Sequence, residues 1–173
     1  MTIRNILTEP NQLLRQVSKK VNNVGTEEQK LMNDMLETMY SANGIGLAAI
    51  QIGVPKRIIV MDISKEKEKK PMFFVNPEIN KKNKIKSVYE EGCLSVPNQF
   101  AEIERPSSCE VKYLDYYGNE KILLAEGLLA TCIQHEMDHL EGILFIDYLS
   151  KLKKSMILKK LSNEKKKIDR IVV

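Results

Sequence analysis

The segment from Glu126 to Leu140 constrains the fold most. Leu128, Leu129, Cys132, Ile133, Met137 and Leu140 recur at helical spacing and leave little polar surface. A helix this apolar has to be buried, so the rest of the chain must be built around it. The same segment reads Gln134-His135-Glu136-Met137-Asp138-His139 and holds both histidines of the chain. Imidazoles and carboxylates on a buried helix cost several kcal/mol unless they are partnered. Histidines four residues apart lie one turn apart on one face, so both can converge on a single ion. Glu136, next to the first histidine, can reach a metal-bound water as a general base. A metal site therefore accounts for this helix better than a pair of satisfied core histidines.

A catalytic metal site needs a third ligand, and no third histidine exists. Cys132 shares the histidine face but lies ~10 Å along the axis from His139, too far for both to bond one ion. It reads as a pocket wall or core residue. Cys109 falls in a predicted strand with nothing to distinguish it from a buried thiol. Cys93 lies in Glu90-Glu91-Gly92-Cys93-Leu94-Ser95-Val96-Pro97, where Gly92 permits close approach of a ligand to the backbone. It is the first choice for the third ligand. Gly44-Ile45-Gly46-Leu47-Ala48-Ala49-Ile50-Gln51-Ile52-Gly53 is a run of small and apolar residues. It matches no dinucleotide or P-loop fingerprint. Its one long polar side chain, Gln51, would need hydrogen-bond partners if buried.

The remaining sequence frames these motifs. At 173 residues, 43% hydrophobic and 29% charged, the chain can bury a core without staples and is not disordered. We read it as one catalytic domain over residues 1–173. Three cysteines, no apolar run near the ~20 residues of a membrane span and no secretory signal place it in the cytoplasm. The +4 net charge is unevenly spread. Residues 151–173 hold eight lysines and Arg170 against Glu164 and Asp169, so the first 150 residues are mildly acidic. That is not the footprint of a specific DNA-binding domain.

Thr26-Glu27-Glu28-Gln29 predicts a capped helix start, and Leu31, Met32, Met35, Leu36, Met39 and Tyr40 lay an apolar stripe behind it. Asn43-Gly44 should end that helix, with Gly44 left-handed. Arg57–Met61 and Met72–Val75 predict buried strands, joined by a charged, solvated loop from Ser64 to Lys70. Lys81-Lys82-Asn83-Lys84 reads as a polar turn. Cys109–Tyr116 and Lys121–Leu124 predict a hairpin about Tyr117-Gly118-Asn119. Gly142 should cap the buried helix, and a basic amphipathic helix should run from about Ser150 to Lys167. The expected class is α+β, with mainly antiparallel sheets around the histidine-bearing helix.

Taken together, Gly44-Ile45-Gly46-Leu47-Ala48-Ala49-Ile50-Gln51, Glu91-Gly92-Cys93-Leu94-Ser95 and Gln134-His135-Glu136-Met137-Asp138-His139 resemble the three signature segments of bacterial peptide deformylase, in that family's order. The resemblance implies removal of the formyl group from the N-terminal formylmethionine of nascent chains, releasing formate. It implies Cys93, His135 and His139 as metal ligands, with water in a fourth position and Glu136 as the proton carrier. The Gln51 side-chain amide and the Leu94 backbone N–H would face the developing oxyanion. Ile45, Tyr89, Glu91, Leu128, Thr131 and Cys132 would form the methionine pocket beside Gly92. Backbone groups of Ile45 and Gly46 would pair with an extended substrate. Thr131 is a mild departure, because an aliphatic residue is also common there. The native ion implied is Fe2+, with Zn2+, Ni2+ or Co2+ able to occupy the site.

Two rivals come from other classes. A His-Glu-x-x-His metallopeptidase would draw a carboxylate third ligand from Asp147, Glu164 or Asp169. A metal-stabilised ribosome-binding module would act through the basic tail. Ribosome contact through that tail is also compatible with the deformylase reading.

Overall fold

The computed structural model describes residues 2–64 and 68–171, with side chains described through Glu164. Residues 65–67 of the expected charged loop, and the side chains of Lys165–Lys167, Asp169 and Arg170 in the tail, lie outside that description.

The first helix, α1, spans Thr26–Ser41. Its N-cap is Gly25, one residue before the expected start, and the Glu28 carboxylate accepts the Gly25 N–H at 3.1 Å. At its other end Gly44 N–H donates to the Met39 carbonyl and Asn43 N–H to the Tyr40 carbonyl, a Schellman pattern. Asn43, rather than Gly44, takes the left-handed conformation (φ 55°). Asparagine tolerates that region. Gly44 serves a different need, since a Cβ there would stand 2.8 Å from Leu94 Cδ1.

Five antiparallel strands follow in the spatial order β1 (Gly46–Ala48), β2 (Ile58–Met61), β3 (Met72–Lys82), β6 (Ser108–Leu114) and β7 (Glu120–Glu126). A separate hairpin joins β4 (Lys86–Cys93) to β5 (Val96–Pro106). Strand β3 runs seven residues beyond the expected Val75. Lys81 and Lys82, expected in a turn, pair with Glu110 and Cys109 of β6. Both faces are exposed there, so no apolar alternation announced a strand.

Side-chain alternation sorts the sheet into two faces. Leu47, Ile58, Val60 and Val75 point toward Met32, Met35 and Met39 of α1. Ala48, Ile59, Met61 and Phe74 point the other way, toward Ala130, Ile133 and Leu140 of α2 (Gly127–Leu140). Strand β2 is apolar throughout because both of its faces are covered. A third cluster joins Val96 and Ile103 of β5 to Leu144, Phe145 and Ile146 and to Ile157 and Leu161 of α3 (Lys151–Ile171). Helix α2 thus packs on the five-stranded sheet and also touches the β4–β5 hairpin. Its end is closed by Gly142 at φ 71°.

Candidate metal centre and substrate cleft

Helix α2 places His135 and His139 one turn apart, with ring centroids 5.0 Å apart and planes at 79°. Both are buried. Cys93 stands at the end of β4, where the chain turns through Leu94 and Ser95 into β5. Its Sγ lies 3.2 Å from His139 Nε2. One donor atom each from Cys93, His135 and His139 falls within 4.8 Å of the others, and among the described residues this is the one such group. These three residues could hold a metal ion. Neither other cysteine joins them. Burial pushes the Cys132 thiol well above its ordinary pKa, so it stays protonated. Cys109 is buried in the sheet core.

Each member of the group is oriented by a neighbour. His135 Nδ1 donates to Glu91 Oε2 at 2.8 Å, which turns Nε2 toward the other donors. Glu91 is held in turn by Arg105, through Nε to Oε1 and Nη2 to Oε2. Arg105 Nη1 reaches Asp138 Oδ2 at 2.8 Å, and Tyr148 Oη donates to the same oxygen at 2.8 Å. Burial alone would raise the Glu91 carboxyl, but His135 and Arg105 hold it below the ordinary carboxylate range.

Glu136 faces the cleft from the next position on the helix. Its Oε1 packs against Gly46, where a Cβ would stand only 2.4 Å away. Its Oε2 is buried and has no hydrogen-bond partner. Burial pushes this carboxyl up to about 7, against the pull of His135. An unpartnered buried carboxylate oxygen beside one sulfur and two imidazole donors fits a transition-metal site with an open position, where a proton acceptor is wanted.

Gln51 sits in a single 3-10 turn, Ala49–Ile52, and is buried. Its amide has the partners that burial demands. Oε1 accepts from Ala48 N–H at 2.8 Å, and Nε2 donates to Ser95 Oγ at 3.0 Å and toward Cys93 Sγ at 3.6 Å.

A cleft of about 560 Å³ opens above the group. Ile45, Gly46, Tyr89, Glu91 and Gly92 line it, together with Leu94, Leu128, Thr131 and Cys132. Every residue expected at the site therefore meets in one place. Glu91 touches the cleft, but its carboxylate is committed to His135 and Arg105. Along the edge strand β1, Asp62 N–H donates to the Ile45 carbonyl. The next residue, Gly46, therefore turns its own N–H and C=O away from β2 toward the free edge. Asp147, offered above as a rival ligand, is used elsewhere. Arg15, Lys154 and the Leu144 N–H occupy its oxygens.

Arg105, Asp138, Tyr148 and Ser95 were not singled out from sequence. An arginine just before Pro106 carries no local signal of burial; only its partners reveal it.

A mixed fold with a cysteine sulfur and two imidazoles that could hold a metal, beside an unpartnered buried glutamate, defines a hydrolase of the His-Glu-x-x-His class. The sequence profile of the family described as polypeptide deformylase matches residues 3–155. A peptide deformylase of Pelagibacter ubique is 73% identical, covering 100% of each chain. The structure of one from Legionella pneumophila has a TM-score of 0.92 at 44% identity, covering 98% of this chain and 99% of that one. That of one from Ehrlichia chaffeensis in complex with actinonin has a TM-score of 0.91 at 44% identity, covering 95% and 98%. The chain belongs to the polypeptide deformylase family, enzymes that remove the formyl group from nascent peptides. No helix among the described residues is long and apolar enough to cross a membrane.

Proposed function

We propose that this chain carries out deformylation as a single catalytic unit over residues 1–173, with Cys93, His135 and His139 holding a divalent ion. The ion we assign is Fe2+, on the family resemblance, with Zn2+, Ni2+ or Co2+ as substitutes. When bound, such an ion supplies Lewis acidity and lowers the pKa of water toward neutrality. Glu136 Oε2 takes the proton of the attacking water and then delivers it to the departing amine nitrogen. The C–N bond breaks to give formate and a free N-terminal methionine. Leu94 N–H and Gln51 Nε2 donate to the oxygen on which negative charge develops; a donor of this kind is worth about 10²–10³ in kcat.

Gly46 presents backbone N–H and C=O at the free edge of β1, where an extended substrate adds as a strand. Ile45, Leu128, Thr131, Cys132, Tyr89 and Gly92 wall the space for the methionine side chain. Glu91 acts by holding His135. The unpartnered Oε2 of Glu136, set beside the three donors, carries this reading.

The test is formate release from formyl-Met-Ala-Ser by iron-loaded enzyme prepared without air. Glu136→Gln should lose at least about 10² in kcat while retaining its metal. An inactive wild type would overturn the reading. Exposure to air should abolish activity and nickel should restore it; full activity of aerated, zinc-only protein would remove the iron assignment.

The enzyme works in the cytoplasm, where its substrates emerge. Helix α3 offers a ribosome contact, as its lysines flank the exposed apolar side chains of Leu152 and Met156. Salt-sensitive co-sedimentation with ribosomes should weaken when the tail lysines are neutralised.

A further inference from the structure

Three separate stretches supply the site: the turn at Gln51, the turn at Cys93–Ser95 and the end of α2 at His139. Long intervening chain separates them, so no short covalent link sets their spacing. One N-terminal stretch touches all three. Leu7 N–H donates to the Gln51 carbonyl at 2.7 Å, Glu9 N–H to the Ser95 carbonyl at 2.8 Å and Ser18 N–H to the Leu140 carbonyl at 2.8 Å. Two residues of chain span at most ~7 Å, so Leu7 and Glu9 hold Gln51 and Ser95 to a narrow separation. Across that gap Gln51 Nε2 donates to Ser95 Oγ and toward Cys93 Sγ.

Little core burial seats this stretch. Between residues 2 and 18 only Leu14 and Ser18 are buried. What closes it is Arg15, whose guanidinium bridges the Glu9 carboxylate (3.1 Å) and Asp147.

We propose that Leu7–Ser18 is a positioning strap, in which the Leu7 and Glu9 N–H groups register the Gln51 amide against the Cys93 turn for donation to the oxyanion. This rests on the deformylase reading of Gln51. The strap does not line the methionine cleft. Loosening it therefore lowers kcat and leaves KM alone.

The test uses full-length, nickel-loaded enzyme and formate release from formyl-Met-Ala-Ser. Leu7→Pro deletes the N–H, whereas Leu7→Ala keeps it. Leu7→Pro should lower kcat about tenfold, part of the 10²–10³ carried by a whole donor, with KM changed less than about twofold. Leu7→Ala should stay within about twofold of wild type in both. In a Gln51→Ala background Leu7→Pro should change kcat less than about twofold, because the amide it registers is gone. In cobalt-loaded protein the thiolate-to-cobalt absorption band should move in Leu7→Pro but not in Leu7→Ala, because Gln51 Nε2 faces that sulfur. Wild-type kcat in Leu7→Pro, an unmoved band, or an undiminished loss in the Gln51→Ala background overturns the strap. An inactive wild type would instead overturn the deformylase reading. Should Leu7→Pro lose its far-UV circular dichroism, Arg15→Met replaces it. That variant unclasps Glu9 and should lower kcat about threefold at constant KM; unchanged kcat then overturns the proposal.

Discussion

Replacing Arg105 with methionine tests the electrostatic support of the metal centre. The side chains of Arg105 and Glu91 are 5% and 4% exposed, and two hydrogen bonds join them. Methionine fills much of the same volume but removes the charge, leaving Glu91 buried with His135 as its only remaining partner. Breaking a buried pair from one side costs about 3–5 kcal/mol. Asp138 adds little, since it is partly exposed and keeps its bond from Tyr148. For a chain of this size each kcal/mol moves Tm by about 2–4 °C, so the expected fall is about 6–20 °C. Urea unfolding of the metal-free protein, followed by circular dichroism, measures the free-energy loss directly. Adding Glu91→Gln should restore part of it, because the stranded charge is then gone. Metal affinity should fall about 10–100-fold through the loosened His135. A loss below about 1 kcal/mol, or no recovery in the double variant, would refute the argument that a buried carboxylate stripped of its arginine sets the cost.

Three further outcomes are expected. Gly46→Ala should lower kcat by at least about tenfold with the fold intact, since its methyl group must displace the Glu136 carboxylate; unchanged formate release would show that the glutamate is free to move. Cys93→Ser should strip the bound metal and abolish formate release, whereas retention of both by the serine variant would return the choice to a carboxylate-ligated peptidase. The third concerns acid. Asp34 is held below its ordinary pKa by the Thr2 N–H and by Arg4. Its stabilisation is complete above the unfolded carboxylate value of about 3.9 and is lost as pH falls toward the folded one. The stability difference between wild type and Asp34→Asn should therefore shrink below about pH 4 in urea titrations, and a difference constant with pH would contradict this assignment.

The elements readable in advance were those with a strong local period. The stripe of α1, the apolar α2, the Cys109–Leu124 hairpin and the last helix all appear close to their expected positions. Less was visible where the pattern is polar on both faces. Strand β3 beyond Val75 depends on pairing with the distant β6, and β4 of the β4–β5 hairpin is largely polar and exposed, which leaves no apolar alternation to read. The turn at Asn43-Gly44 shows a subtler limit. Either residue suits a left-handed turn; the approach of Leu94, fifty residues away in sequence, reserves the glycine for close packing.

The sequence alone determined the chemistry. Thiol, imidazole, carboxylate and amide are properties of residue type, and a spacing of four on a helix brings two imidazoles together whatever the surroundings. Tertiary structure decided how those groups are held. It placed Cys93 beside His139, set Glu136 against Gly46, and turned Glu91 from a pocket wall into the link between His135 and Arg105. These contacts span 14 to 90 residues of chain, and burial makes each of them decisive. An unpaired group costs little in water and several kcal/mol inside a folded protein.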